Sequence, residues 1–331
     1  MKKLKNILSI LVVSVIIITV FLFTSITNKT KVKLDTDRIL KKSIQTIKQQ
    51  ELGNQYDILK IVNDSLFFIS WTKENQGNIY QFNKDKSKIE KYTSLNSNLI
   101  IGNYFRTNEN EFLVVNNAKK QLLIFYNNGT LKKTHQLNIP IARGVLTNDF
   151  FLFTSWGSDL IMKFYEYNLT NGNLKQIQNK AFDNFSKNTG VLYDGVLKQV
   201  GDKIVLIPYA ANEVFFFDSN FHFIDKLKLI SQQKEFNLTK MKNGELMVDP
   251  NNLYPNIYAD ISNENLYILT NESGVWDTKD KYYIDVYDIE KKKYLYSYHI
   301  EDKTIRPREI TVRENQLYVL GKDKLNIYEI K

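Results

Sequence analysis

A polar pair followed by four apolar residues recurs six times along this chain, and no other feature of the sequence limits its fold as strongly. Asn63-Asp64 precedes Leu66 to Ile69, Glu109-Asn110 precedes Phe112 to Val115, and Asn148-Asp149 precedes Phe150 to Phe153. Gly201-Asp202, Glu264-Asn265 and Glu314-Asn315 precede Ile204 to Ile207, Leu266 to Leu269 and Leu317 to Leu320. Each copy reads as a tight hairpin turn feeding a strand buried on both faces. A second signature follows each time, an alternating strand that ends in an aromatic and a turn-forming polar residue. Its aromatics are Phe82, Tyr126, Tyr167, Phe217, Tyr287 and Tyr328, spaced by 44, 41, 50, 70 and 41 residues. A further strand, such as Leu131 to Leu137 or Tyr294 to Ile300, comes after each of the first five. Four strands every 40 to 50 residues, six times over, predict an all-β six-bladed β-propeller with four-stranded blades. A β-helix or a pair of sandwiches is the competing architecture.

The ends of the chain fit a ring. The sixth unit stops at Lys331, just after its third strand, so a strand from between Val32 and Gln49 is expected to complete that blade. Closure would remove the exposed edges that invite aggregation. With only 13 glycines in 331 residues, asparagine takes their place in the turns. The expected organisation is a short basic N-terminus (1–6), a transmembrane anchor or signal segment (7–26), a linker (27–35) and one large propeller domain (36–331).

With these repeats in place, and with segments such as Leu192-Tyr193-Asp194-Gly195 and Val286-Tyr287-Asp288-Ile289, the chain resembles six-bladed propellers of the TolB-like and NHL-like kind. The likeness is greatest to the six-bladed envelope propellers found as lipoproteins in Bacteroidetes, and it covers roughly Val32 to Lys331. The resemblance implies a binding or assembly role in the cell envelope and names no ligand. One departure stands out: that group usually carries a lipidated cysteine, and this chain has no cysteine.

What it has instead is Ile7 to Ile26, 20 residues without a charged side chain. A helix of that length matches a hydrocarbon core of about 30 Å. Cleavable signals usually have a shorter apolar region, about 7–15 residues, ending in small residues. Phe23, Thr24, Ser25 and Ile26 offer no such site. An uncleaved single-pass anchor is therefore expected, with a removed signal as the alternative. Three lysines precede the span and three follow it, a tie that the free amino terminus tips toward an inside N-terminus. The propeller is then expected on the extracytoplasmic, periplasmic side. The absence of cysteine suits an oxidising compartment and excludes disulfides, zinc ribbons, iron–sulfur clusters and thiol catalysis.

The net charge of +9 invites a nucleic-acid reading. Six lysines, with no acid, fall in residues 1–33, leaving 39 basic against 36 acidic residues and a net of +3 for residues 34–331. A near-balanced body lacks the concentrated basic face that polyanion binding needs, so no nucleic-acid partner is expected.

Catalytic signatures are absent from the sequence. His135, His222 and His299 fall on the fourth strands of three different blades, too far apart for a shared metal or relay, and are expected to be partly exposed. Gly157-Ser158 lacks a nucleophile-elbow frame, and Thr270 to Trp276 resembles a sialidase Asp-box only faintly, being one residue short and in the wrong loop. There is no P-loop, dinucleotide fingerprint or EF-hand loop, and neither cofactor nor metal is expected. The scattered Glu, Asn and Asp ligands of metal-dependent propeller lactonases would not show in spacing. A lactonase-like hydrolase or a lyase therefore stays as the alternative to a binding module.

Trp71, Trp156 and Trp276 each follow a second strand and precede a third, as does Tyr209 in blade four. Those loops and the ones joining blade to blade emerge on one face of a propeller, where ligand sites form at the channel mouth. The four aromatics are candidate contacts for a protein or glycan partner, with packing between blades as the competing role. Arg143, Asp194, Arg306 and Arg308 reach the same face at the starts of blades, and insertions at Ser231 to Asn252 and Asn271 to Lys281 should add to it.

Overall fold

The structure, a computed structural model, describes residues 38–330 except 45, 53–55, 63–64, 71–76, 84–87, 96–100, 109, 148–149, 180–188, 231–237, 241–245, 249–254, 272–280 and 303–304. They form an all-β six-bladed propeller. No helix among the described residues is long and apolar enough to cross a membrane, and the 7–26 span lies outside them.

Two strands come before the first blade, β1 (Leu40–Ile44) and β2 (Thr46–Glu51). Blade one is β3 (Tyr56–Val62), β4 (Ser65–Ser70), β5 (Asn78–Asn83) and β6 (Lys88–Ser94). Blade two is β7 (Ile101–Asn108), β8 (Glu111–Asn116), β9 (Gln121–Tyr126) and β10 (Leu131–Gln136). Blade three is β11 (Arg143–Leu146), β12 (Phe150–Ser155), β13 (Lys163–Asn168) and β14 (Leu174–Ile177), followed by a one-turn helix α1 (Thr189–Leu192). Blade four is β15 (Gly195–Val200), β16 (Lys203–Pro208), β17 (Glu213–Phe217) and β18 (Phe223–Lys228). The insertion after it contains a two-stranded hairpin, β19 (Leu238–Lys240) and β20 (Leu246–Val248). Blade five is β21 (Asn256–Ser262), β22 (Asn265–Asn271), β23 (Tyr282–Asp288) and β24 (Lys293–Ile300). Blade six has β25 (Glu309–Arg313), β26 (Gln316–Leu320) and β27 (Lys324–Glu329).

The expected closing strand is β2, which pairs antiparallel with β27 from Thr46 opposite Tyr328 to Glu51 opposite Lys324. One residue earlier the chain does something the repeat count does not announce. β1 pairs parallel with β24, adding a fifth strand to blade five. The segment 38–51 is thus a strap across the outer edges of blades five and six.

In blades four and six the repeated polar pair is the turn between first and second strands, from Val200 to Lys203 and from Arg313 to Gln316. In blade five the turn lies one residue earlier than the pattern suggests. Ser262 pairs with Asn265, and Asn263 and Glu264 form the turn with φ of 48° and 62°, the left-handed pair of a type I′ hairpin.

The reason every position after the turn is apolar is that each second strand packs against two neighbours. Successive side chains point to opposite faces of a strand. On β12, Phe151 and Phe153 pack against blade two, and Leu152 against blade four. On β26, Leu317 and Val319 join blade five, while Tyr318 and Leu320 join blade one. Six such clusters, one per junction, make the core continuous around the ring. Each fully buried Phe or Leu contributes about 1.5–3 kcal/mol relative to exposure.

Candidate binding site

The first strand of each blade is innermost and lines the channel. Arg143 is the first residue of β11, and Asp194 stands between α1 and β15. Their side chains meet across the junction of blades three and four, Nε donating to Oδ1 at 2.7 Å and Nη2 to Oδ2 at 2.8 Å. The local fold makes this close approach possible at Gly195, next to Asp194. A Cβ on Gly195 would fall 2.0 Å from the Ile207 carbonyl oxygen. Tyr209 follows β16 and lies under the guanidinium, its ring centroid 5.3 Å from the Arg143 Cζ.

Blade five clamps the Tyr209 loop. The Asn256 Nδ2 donates to the Pro208 and Ala211 carbonyls at 2.7 and 3.1 Å, and its backbone N–H donates to Tyr209 O at 3.2 Å. The Tyr209 N–H in turn donates to Asp194 O at 2.8 Å. Deeper in the channel, the Lys198 Nζ donates to Asp260 Oδ1 at 2.9 Å and lies 5.4 Å from the Tyr258 ring centre. The other Asp260 oxygen accepts from Thr311 Oγ1 at 2.7 Å and from the Val312 N–H at 2.8 Å. A polar ladder therefore links blades three, four, five and six along their innermost strands.

Electrostatics hold its groups in defined states. Burial opposes the charge on Arg143, but the Asp194 hydrogen bond together with the nearby Tyr209, Asp194 and Tyr258 raises the pKa, so the guanidinium is permanently charged. Burial raises the Tyr209 phenol, with Asp194 and Glu309 adding to the shift and Arg143 opposing it. Burial pushes Tyr258 well above the usual range, reinforced by Glu309 and Tyr209. Both phenols are neutral O–H donors at physiological pH.

Among the described residues no acceptor takes the Arg143 Nη1 edge, and the Tyr209 and Tyr258 hydroxyls have no hydrogen-bond partner. The Arg143 and Asp194 side chains are 30% and 25% exposed, open to the channel mouth. The site can offer a ligand a planar cation, two phenolic donors, a carboxylate acceptor at Asp194, and an aromatic face.

Of the residues singled out in the sequence, Arg143, Asp194 and Tyr209 come together here. Arg308 is half-buried just before β25, where its N–H donates to Leu320 O at 2.8 Å, and Arg306 is exposed. Trp156 is half-buried against the core between blades three and four. Gly190 of α1 closes over it so tightly that a Cβ there would lie 2.7 Å from the indole base. Trp71 and Trp276 lie outside the described residues. Tyr258, Glu309, Lys198 and Asp260 were missed. Their signal was polarity on otherwise apolar first strands, legible only once those strands are known to line a channel.

The histidines depart from expectation in detail. His135 is buried, its Nδ1 2.8 Å from the Tyr167 hydroxyl of blade three, because the outer strand of blade two leans on its neighbour. His222 sits in the turn before β18, exposed, and His299 packs at 5.0 Å on the Tyr283 ring. Among the described residues no group of three His, Asp or Glu side chains is placed to hold a metal ion.

No protein-family model and no curated protein matches the sequence. Solved structures do match in shape. A member of the duf4221 family from Bacteroides vulgatus superposes with a TM-score of 0.62 at 10% identity, over 90% of this chain and 99% of that one. A Bacteroides fragilis protein superposes with a TM-score of 0.56 at 12% identity, over 92% and 98% of the two chains. The chain has the fold of the Bacteroides propellers. Virginiamycin B lyase from Staphylococcus aureus shares that fold, with a TM-score of 0.53 at 13% identity over 87% of this chain and all of that one. At such identities the likeness covers the ring and not the side chains at its mouth.

Proposed function

We propose that this protein is a membrane-anchored, extracytoplasmic propeller that binds a protein or glycan partner at the channel mouth between blades three and six. The observation that carries the reading is the Arg143–Asp194 pair on the Tyr209 ring, half-open, with the Nη1 edge unused among the described residues. Planar charged groups beside an aromatic face suit a ligand that has both donors and acceptors, such as a sugar ring or a peptide backbone. The apolar span at 7–26 supports the anchor, and the free amino terminus, which breaks a tie of three lysines on each side of it, favours an outside propeller.

The alternative, a lactonase-like hydrolase or a lyase, draws on the shared fold of the lyase. It needs a group at the mouth that moves a proton, and none of the three histidines is on an innermost strand.

The test is capture on a glycan array and from solubilised envelope, comparing the wild-type chain with Tyr209→Ala and with Arg143→Gln. Both variants should lose a partner that wild type retains, about tenfold or more in Kd for one lost charged hydrogen bond. Equal retention by variants that still melt cooperatively would remove the mouth as the site.

A further inference from the structure

Eight large apolar side chains are exposed among the described residues: Ile39, Leu40, Ile47, Tyr92, Tyr126, Leu131, Leu174 and Ile224. All of them lie on the strap, on a fourth strand, or at the turn into one. Leu131 and Leu174 open β10 and β14, and Ile224 and Ile47 are the second residues of β18 and β2. Tyr126 ends β9 across the turn from Leu131. In an antiparallel blade, the turns joining third to fourth strands all lie on the face opposite the loops that carry Tyr209. Leu131, Leu174, Ile224 and Ile47 therefore mark the outer rim of that opposite face in blades two, three, four and six.

Charge is segregated to the same wall. The outermost strands β1, β2, β6, β10, β14, β18 and β24 carry eleven lysines against Glu51, Glu90 and Asp225, a net of +8. Residues 34–331 net +3, so all the rest of that body, loops and turns included, nets −5. The near-balance that argued against a basic face is a sum of two opposite parts. Lys133 and Lys175 are exposed on the same strands as Leu131 and Leu174. Aliphatic side chains flanked by lysines are the chemistry of an anionic lipid surface, the apolar groups reaching the acyl boundary and the ammonium groups the phosphates.

The chain itself brings such a surface within reach. The strap begins at Arg38, whose side chain is held in blade five by Asp285. Only eleven residues, 27–37, separate it from the end of the 7–26 span, which at full extension is at most about 40 Å. Three of the eleven are Lys29, Lys31 and Lys33.

We propose that the rim formed by Leu131, Leu174, Ile224 and Ile47, with its lysines, rests on the anionic headgroups of the bilayer that holds the chain's own N-terminal segment. The channel mouth then faces away from the membrane, toward its partner. This rests on the anchored reading above.

The absence of cysteine allows a single dye to be placed at will. The full chain, with a fluorophore at Leu174→Cys, Ile224→Cys or, on the mouth face, Ser158→Cys, is reconstituted into vesicles of phosphatidylcholine with phosphatidylglycerol and a nitroxide-bearing lipid. Dyes at 174 and 224 should be quenched several-fold more than the dye at 158. The difference should shrink in pure phosphatidylcholine and in a Lys133→Glu/Lys175→Glu background. Flotation with equal quenching at all three sites overturns the docking and leaves the anchor standing. Retention on a polyphosphate or DNA resin without rim quenching overturns it in favour of a soluble polyanion. A chain that does not float at all overturns the anchor and the docking together.

Discussion

His135 shows how one side chain answers to two blades. It is the single buried position on β10, with Nδ1 against the Tyr167 hydroxyl, the two rings T-shaped at 5.3 Å, and Nε2 buried without a partner. Burial lowers its pKa below the usual 6.5, and the nearby Lys133 shifts it in the same direction. The unfolded chain therefore takes up this proton at a higher pH than the folded one. The stability that this histidine confers is present above about pH 6.5 and is lost as the pH falls through the folded value. Thermal unfolding at about pH 7.5 and 5.5 should show a drop in Tm that is smaller in His135→Leu than in wild type. An identical drop in both would mean the ring is not the titrating group. Alternation placed this histidine on an outer strand correctly, but exposure there is decided by the neighbouring blade, whose contact leaves no mark within β10.

At the scale of elements, the strap is the part that sequence reasoning saw by half. β2 was legible because a three-stranded sixth blade leaves β27 as an open edge that something must cover. β1 was not, since a parallel fifth strand on a complete blade satisfies no count. What holds it is a buried ion pair, Arg38 Nε to Asp285 Oδ1 at 2.8 Å and Nη2 to Oδ2 at 3.0 Å, with side chains 5% and 1% exposed. Ser297 Oγ donates to the same carboxylate at 2.5 Å, and the guanidinium lies 4.6 Å from the Tyr283 ring centre. Removing the cation leaves a buried carboxylate short of charge, so Arg38→Ala should destabilise the protein by about 3–5 kcal/mol in urea. In an Asp285→Ala background the same substitution should cost far less. An undiminished loss there would show that the arginine acts through packing alone.

For the whole molecule, the six interblade clusters and the strap make stability a property of the closed ring. Deleting residues 35–51 would expose β27 along its length and remove the fifth strand of blade five. The shortened protein should elute as oligomers and melt over a broader range than the intact chain, because an uncovered edge pairs with other chains. A sharp melt from a monomer would show that blade six closes without the strap. The sequence alone determined the repeat, since a blade buried on both sides must write four apolar residues after each turn, and it determined the turns, since tight hairpins restrict which residues can occupy them. Only the tertiary structure decided which polar residues share the channel mouth and which lysines share the outer wall. Arg143 and Asp194 are 51 positions apart, and Arg38 and Asp285 are 247 apart. No local periodicity connects residues that meet only because a ring of blades has closed.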